Sequence, residues 1–458
     1  MRARSLFALV ALLGLLSGCS QRPSPPPREV APLAAPLDRP DMPPPAARRS
    51  PPGTPFTRAE LLAPFSPTLA VTTQSAHGDL FPHLEPLAPD GPHYRSATRL
   101  HRGQRAFVLP IARNYGIDPQ SHSDLTFETT ILKPDGTPDG GTLSSVLWQG
   151  HVPAASLPLY PATVVSFHAE AHDPVGLYQV VVRVHDHLAG ERRDFIHELE
   201  LIDYTPPELP AYFDANTWFH GYYLNPTPEL ALSALPRFFA ALVADKRAGA
   251  IPPLLGFYDQ VLRDNAWLLP AFCEQLATAQ PDEAFALSLV LGFHLRGASV
   301  PPPGIEPSLW ARLADFRGHD WPADPDTPLL RAAQLDALWG RFFASGLFAP
   351  IQRLLEPLQH TSDLGAAERW RLSLPPAPPD APSALPDLDD PATPVAVRRE
   401  ILLRTALWSL RANSRQHPLV RDYLERSLRA GELGPGVRIL LERVLRPEAA
   451  GAGGFSPL

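Results

Sequence analysis

Lysine is nearly absent from this chain of 458 residues, which carries 40 basic side chains but only Lys133 and Lys246 as lysines. Neither closes a glycine-rich loop ending in Gly-Lys-Ser/Thr, so the sequence offers no phosphate cradle of that kind. The formal net charge of -8 supplies no basic stripe, which excludes the electrostatic footprint of a nucleic-acid-binding protein. Cysteine is equally scarce: Cys19 and Cys273 are too far apart to form the close pair of a thiolate zinc site. No Gly-x-Ser-x-Gly elbow marks a serine hydrolase. What the chain has in excess is proline, at 58 residues, well above the usual share of about 5%. Its apolar share of 44% is enough for true cores, and its length suits two or three domains.

The amino terminus is organised as an export signal. Arg2 and Arg4 precede an apolar run over residues 6–16, which is shorter than the roughly 20 residues of a membrane-spanning helix. The run ends in Leu16-Ser17-Gly18-Cys19. These four residues resemble the lipobox of bacterial lipoproteins. The resemblance implies cleavage of residues 1–18, lipid on the Cys19 thiol and an acylated new amino terminus. Ser20 in place of aspartate favours the outer membrane by the rule of that family. An exported, lipid-anchored envelope protein is therefore expected, held by more than one acyl chain as stable anchoring requires. Residues 19–56 follow as a proline-rich tether that cannot form helix or sheet. With Cys19 lipidated, Cys273 has no partner for a disulfide, and its apolar setting at 268–273 reads as core.

Residues 57–89 are ambiguous, with a short helical turn at 58–62 and a strand at 69–73 as the two readings. Residues 90–205 alternate with period two. Phe107, Leu109 and Ile111 share one face, as do Leu125, Phe127 and Ile131. The clearest strand places Tyr178, Val180, Val182 and Val184 together, and its partner carries Phe195, His197, Leu199 and Leu201. Lys133-Pro134-Asp135-Gly136 is a turn. The segment Asp173-Pro174-Val175-Gly176-Leu177-Tyr178 resembles the corner before strand F of immunoglobulin-like and fibronectin-III-like domains. It implies an Ig-like antiparallel β-sandwich in which the Tyr178 hydroxyl bonds back to nearby backbone. Val180 stands where antibody domains have cysteine, which argues against the antibody type.

Residues 206–228 form an aromatic connector with Trp218, Phe219, Tyr222 and Tyr223. Two readings stand: interface packing, or a platform on which a glycan or peptide stacks. From 229 to 446 the apolar period is helical, beginning with Leu232, Leu235, Phe238, Phe239, Leu242 and Val243. Helices are predicted at 253–264, 266–279, 282–296, 307–317, 328–344 and 346–358. A proline-rich break at 375–394 precedes two or three more. The spacing resembles antiparallel helix pairs of an α-solenoid, and an irregular bundle is the alternative. Residues 447–458 read as a flexible tail.

Candidate chemistry is thin. His197-Glu198 begins a zinc-protease motif, but Leu201 occupies the place of its second histidine. His168, His172, His185, His187 and His197 all fall on late strands, and the first reading of them is rim and core histidines. The acids Asp387, Asp389 and Asp390, and Asp320, Asp324 and Asp326, lack the glycine turn and later glutamate of a calcium loop. No metal or cofactor is expected. The function expected is non-catalytic: binding or scaffolding at the envelope, with a membrane, an envelope protein or a glycan as partner and no nucleic acid. The alternatives are an envelope enzyme acting on glycan or peptidoglycan with acids such as Glu306 and Asp315, and a carbohydrate-binding lipoprotein.

Overall fold

A computed structural model of the protein describes residues 65–72, 96–152, 158–161, 164–170, 172–245, 250–302, 305–319, 321, 323–366 and 393–446. A β region comes first and a helical region follows. The strands are β1 (Thr68–Thr72), β2 (Arg99–His101), β3 (Arg105–Ile111), β4 (His122–Leu132), β5 (Leu143–His151), β6 (Val165–His168), β7 (Gly176–Asp186) and β8 (Glu191–Ile202). They make a three-stranded sheet in the order β1-β3-β6 and a five-stranded sheet in the order β2-β8-β7-β4-β5. All pairings are antiparallel except β2 with β8.

The alternation of apolar residues explains the inward faces. Tyr178, Val180, Val182 and Val184 are fully buried, and Leu125, Phe127, Leu199 and Leu201 close over the same core. Residues 65–72, ambiguous in sequence, contribute Phe65 and Val71 to it. On β3 the face that enters this shared core holds Ala106 and Val108, not the expected Phe107, Leu109 and Ile111. Leu109 and Ile111 are also buried, so the strand is covered on both sides and period two loses its power to choose a face. The sheets curl round their core as a half-barrel. A register shift between Leu125 and Thr126, opposite the extra residue Leu147 of the edge strand β5, adds local twist at the sheet's edge, so the arrangement departs from two flat aligned layers. At the β7–β8 turn, buried Asp186 accepts from the backbone of Gly116, Leu188 and Ala189 at 2.6, 3.1 and 2.9 Å.

The helices are α1 (Ala215–Gly221), α2 (Ala231–Asp245), α3 (Ile251–Asp264), α4 (Leu269–Thr278), α5 (Pro281–His294), α6 (Pro307–Arg312) and α7 (Ala314–Arg317). They continue with α8 (Ala332–Ser345), α9 (Phe348–Leu355), α10 (Val395–Gln416), α11 (Pro418–Ala430) and α12 (Pro435–Leu445). Proline opens α5, α6, α11 and α12, where its missing N–H costs nothing. Asp214 caps α1 by accepting from the amides of Asn216 and Thr217. Gly346 and Gly431 end α8 and α11 in the left-handed conformation.

The closest helix pair is not a hairpin. A Cβ on Gly256 of α3 would strike the Ala337 carbonyl, and one on Gly340 of α8 would strike the Pro253 carbonyl and the Phe257 amide. Gly256 lies against Ala337, and Gly340 against Pro253 and Phe257, so the two helix backbones touch. They are joined across four intervening α-helices, α4 to α7. In a solenoid each unit touches only its neighbours, and this long-range closure is the geometry of a bundle instead. The two regions meet where His101 stacks on Trp267, with ring centres 4.8 Å apart, and Tyr204 meets both rings edge-on.

Candidate functional site

The C-terminal end of α3, the end of α5 and the start of α8 converge on residues 317–331, and a cleft of about 510 Å³ opens there. Its lining includes Arg263, Arg296, Arg317, His319, Trp321 and Arg331, with Asp324 and Asp326 between them. The floor is ionic. Asp259, fully buried on α3, accepts from Arg341 of α8 at 2.6 Å, from Arg263 one turn along at 3.2 Å and from His294 at the end of α5 at 3.2 Å. Arg296 stands 3.4 Å from it. Asp326 receives Arg341 through two nitrogens at 2.6 and 2.8 Å, Arg296 at 2.6 Å and Arg263 at 3.0 Å. Asp324 takes the Nε of Arg296 at 2.8 Å.

The loop is fixed from its backbone as well. Buried Gln334 accepts the amides of Leu330 and Arg331 and donates to the carbonyls of Asp324 and Pro328. Arg353 donates to the carbonyls of Pro325 and Thr327. Arg317 is held differently: its guanidinium lies 3.2 Å above the Trp310 ring and donates to the carbonyls of Ala298 and Trp310. α3 and α5 bring their negative C-terminal ends here, which favours arginine at this place.

These charges set the protonation states. Burial alone would raise the Asp259 carboxyl, but His294, Arg296, Arg341 and Arg263 outweigh it and hold the group well below the usual carboxylate range. Arg341, through its hydrogen bonds, pulls Asp326 down to about 2 against the opposing effect of burial. Both are anions at neutral pH. Among the described residues Asp336 is the carboxyl that burial pushes up, to about 6. It sits two residues from Gln334, about 200° round α8, and does not line the cleft.

The residues singled out in sequence fall elsewhere. Leu16, Ser17, Gly18 and Cys19 lie outside the described residues, as do the tether, Asp320, the acids Asp387, Asp389 and Asp390, and most of the proline-rich break. Phe219 and Tyr222 are buried in the helical core. Trp218 packs beside them, with its ring against Tyr222 and Phe257 and its Nε1 donating to Thr227 at 2.8 Å. Tyr223 is half-buried with its hydroxyl 3.2 Å from His417. The partners of all four are protein groups. Tyr178 is fully buried and donates its hydroxyl to the Pro174 carbonyl at 3.0 Å. His185 and His187 share a face, and His197 bonds the Ala97 carbonyl at 2.6 Å. Glu306 and Asp315 are exposed and do not line the cleft. Cys273 is buried, which raises its thiol to about 11. Among the described residues no three His, Cys, Asp or Glu side chains are grouped to hold a metal.

Sequence reasoning missed Asp259, Arg296 and Arg341. They are separated by 37 and 82 positions from Asp259, and no local pattern joins them. Asp324 and Asp326 were visible, but only as an acidic loop.

No protein-family model matches the chain, and no curated protein matches it. Among solved structures, one similar chain comes from work on glycolipid glycan hydrolysis by a family 123 glycoside hydrolase from Clostridium perfringens. It is 9% identical, over 36% of this chain and 34% of that one, with a TM-score of 0.16. A second, pT26-6p, is 11% identical over 61% of this chain and 48% of that one, with a TM-score of 0.17. This chain thus spans about a third and about half of their lengths. At these TM-scores neither likeness bears on fold or function.

Proposed function

We propose that this protein is a lipid-anchored component of the cell envelope that binds an anionic ligand in the cleft of its helical region and does no chemistry on it. The observation that carries the binding reading is the cleft's lining: four arginines face two aspartates, in a chain whose net charge is -8. A concave site with cations in excess attracts carboxylate- or phosphate-bearing groups, and guanidinium is suited to both. Acidic glycans and phosphorylated polymers of the envelope belong to that class. The binding reading also rests on the state of the cleft's carboxylates. Asp326 is ionised and engaged by arginine, and Asp336, the acid that burial raises among the described residues, lies off the cleft. A glycosidase needs a carboxyl that holds its proton beside one that does not.

The anchor rests on Leu16-Ser17-Gly18-Cys19 and the proline-rich tether. The lipid on Cys19 would hold the protein to the outer membrane, and the tether would lift the folded part toward its partner. We read the β region as an Ig-like module that displays the helical region. The back-bond from Tyr178 to Pro174 supports that reading.

Two experiments test it. Cys19→Ala should move the protein from the membrane to the soluble exported fraction; wild type found soluble would sink the anchor. Oligogalacturonate and a neutral cello-oligosaccharide of equal length should then be titrated into the soluble form at low salt. The acidic oligomer should bind, weaken as salt rises, and weaken further with Arg331→Gln. Equal binding of the neutral oligomer, or binding that ignores salt, would remove the basis for an anionic ligand.

A further inference from the structure

His220, near the end of α1, and His417, at the junction of α10 and α11, come together 197 positions apart with ring centres 6.2 Å apart and planes at 28°. Each has one buried ring nitrogen with no hydrogen-bond partner, Nδ1 on His220 and Nε2 on His417. Phe343 touches both rings, at 4.7 and 5.1 Å, and Phe342 and Tyr223 complete the wall round His417. We propose that this pair is a two-coordinate site for Cu(I).

The separation fits. A metal–nitrogen bond of about 2 Å on each side, added to the distance from each nitrogen to its ring centre, places two imidazoles about 6 Å apart when their free nitrogens face one another across the ion. The proton arrangement fits as well. Nδ1 of His417 lies 3.2 Å from the Tyr223 hydroxyl. If Nδ1 donates there, Nε2 keeps its lone pair, which is how metal-bound histidines are usually oriented. His220 is half-buried, so its Nε2 can hold the proton toward solvent and leave Nδ1 as donor to a metal. Burial lowers the pKa of both rings, with each other's charge adding to the effect on His417. Both are therefore neutral ligands at neutral pH.

The ion is chosen by what surrounds it. Zinc takes four ligands in a structural site, and among the described residues no third His, Cys, Asp or Glu completes a set. A divalent ion would leave two positive charges in an aromatic pocket without a carboxylate. Cu(I) is a closed-shell monovalent ion with no demand for further ligands, imidazole suits copper, and ring faces offset a single positive charge. Other histidine pairs have the same spacing without the same vacancy. His185 and His187 are 6.0 Å apart, but His187 bonds Thr126 and His185 faces Glu128. His122 and His151 are 6.0 Å apart, with His122 against Asp118. The competing occupant of the His220–His417 gap is a buried water bridging the two nitrogens.

The test uses the full chain carrying Cys19→Ala, so that the terminal thiol cannot bind copper. Cu(I) is titrated anaerobically in competition with bicinchoninate. One ion per chain should be withheld from the chelator. His417→Phe and His220→Phe should each release it, Tyr223→Phe should weaken retention about tenfold, and the His185→Ala/His187→Ala chain should retain it fully. Melting curves establish that each variant is folded. An independent measurement on the chain with both histidines intact is copper K-edge absorption, where two nitrogen donors at about 2 Å are expected. No ion withheld by the folded chain, or retention unchanged in His417→Phe, would overturn the proposal in favour of a bridging water. A sulfur donor in the absorption spectrum would also overturn it, by moving the ion to Cys273.

Discussion

Arg341 donates through Nη2 to Oδ2 of Asp259 at 2.6 Å, and the bond joins α8 to α3 at a fully buried carboxylate that Arg263 and His294 also reach. Breaking one side of such a pair is costly because it strands the other charge. Asp259→Asn should therefore destabilise the protein by about 3–5 kcal/mol, read as a shift of the urea midpoint at unchanged slope. The double replacement Asp259→Leu with Arg341→Met should cost less than the two singles added together. If the singles simply add, the pair is not the unit that the geometry makes it.

Acid should act on the same network. Asp259 and Asp326 have folded-state pKa values below those of the unfolded chain, so the unfolded state binds more protons in the interval between. Their contribution is present above the unfolded value of about 3.9. It is lost as pH falls through the folded values, which for Asp326 means about 2. Melting temperature should drop steeply between pH 4 and pH 2 (about the window those values define), and Asp259→Asn should flatten the drop. A variant with an unchanged slope would remove Asp259 from the titrating set.

Gly340 offers a sharper test of the helix pair. An added Cβ would meet the Pro253 carbonyl and the Phe257 amide, both backbone, so neither can rotate away. Gly340→Ala should cost well above about 3 kcal/mol, the upper end of ordinary overpacking. Gly141 has open space round the same added atom, and Gly141→Ala should stay within about 0.5 kcal/mol. Comparable unfolding midpoints for the two variants would mean that α3 and α8 do not approach as closely as described.

The contrast between fold and site follows from the range of the signals. Helix starts were legible because proline and acidic residues act within one turn: Pro281-Asp282-Glu283 opens α5 and Pro435 opens α12. The β7 core face was legible because Tyr178 to Val184 alternate over seven residues. Alternation failed on β3, where both sides are covered. It also carried no sign that α3 and α8 lie side by side, since Gly256 and Gly340 look like weak points in a helix until the partner is seen. The cleft was illegible for the same reason. Asp259 reads as one polar residue in the apolar helix Ile251–Asp264, and only the tertiary fold gives it its arginine partners.

The two regions have separate hydrophobic cores, and a small aromatic contact couples them. Trp267 stacks on His101 and takes Tyr204 on its edge, while the Tyr204 hydroxyl donates to the Glu229 carbonyl at 3.0 Å. Gly103 allows the approach: a Cβ there would stand 3.0 Å from the Trp267 Cβ, and its φ of +82° suits glycine. Trp267 is 9% exposed, so Trp267→Ala should cost about 3–5 kcal/mol. Loss of the stack should also uncouple the cores, because among the described residues the ring contacts between the two regions pass through His101 and this cluster. Calorimetry should then resolve two transitions in Trp267→Ala where wild type gives one. Tyr204→Phe keeps the ring and removes only the hydroxyl, so it should cost about 1 kcal/mol and leave the single transition intact. A single transition in both variants would mean that the cores are coupled through the Ser233–Pro207 bond and its surroundings instead.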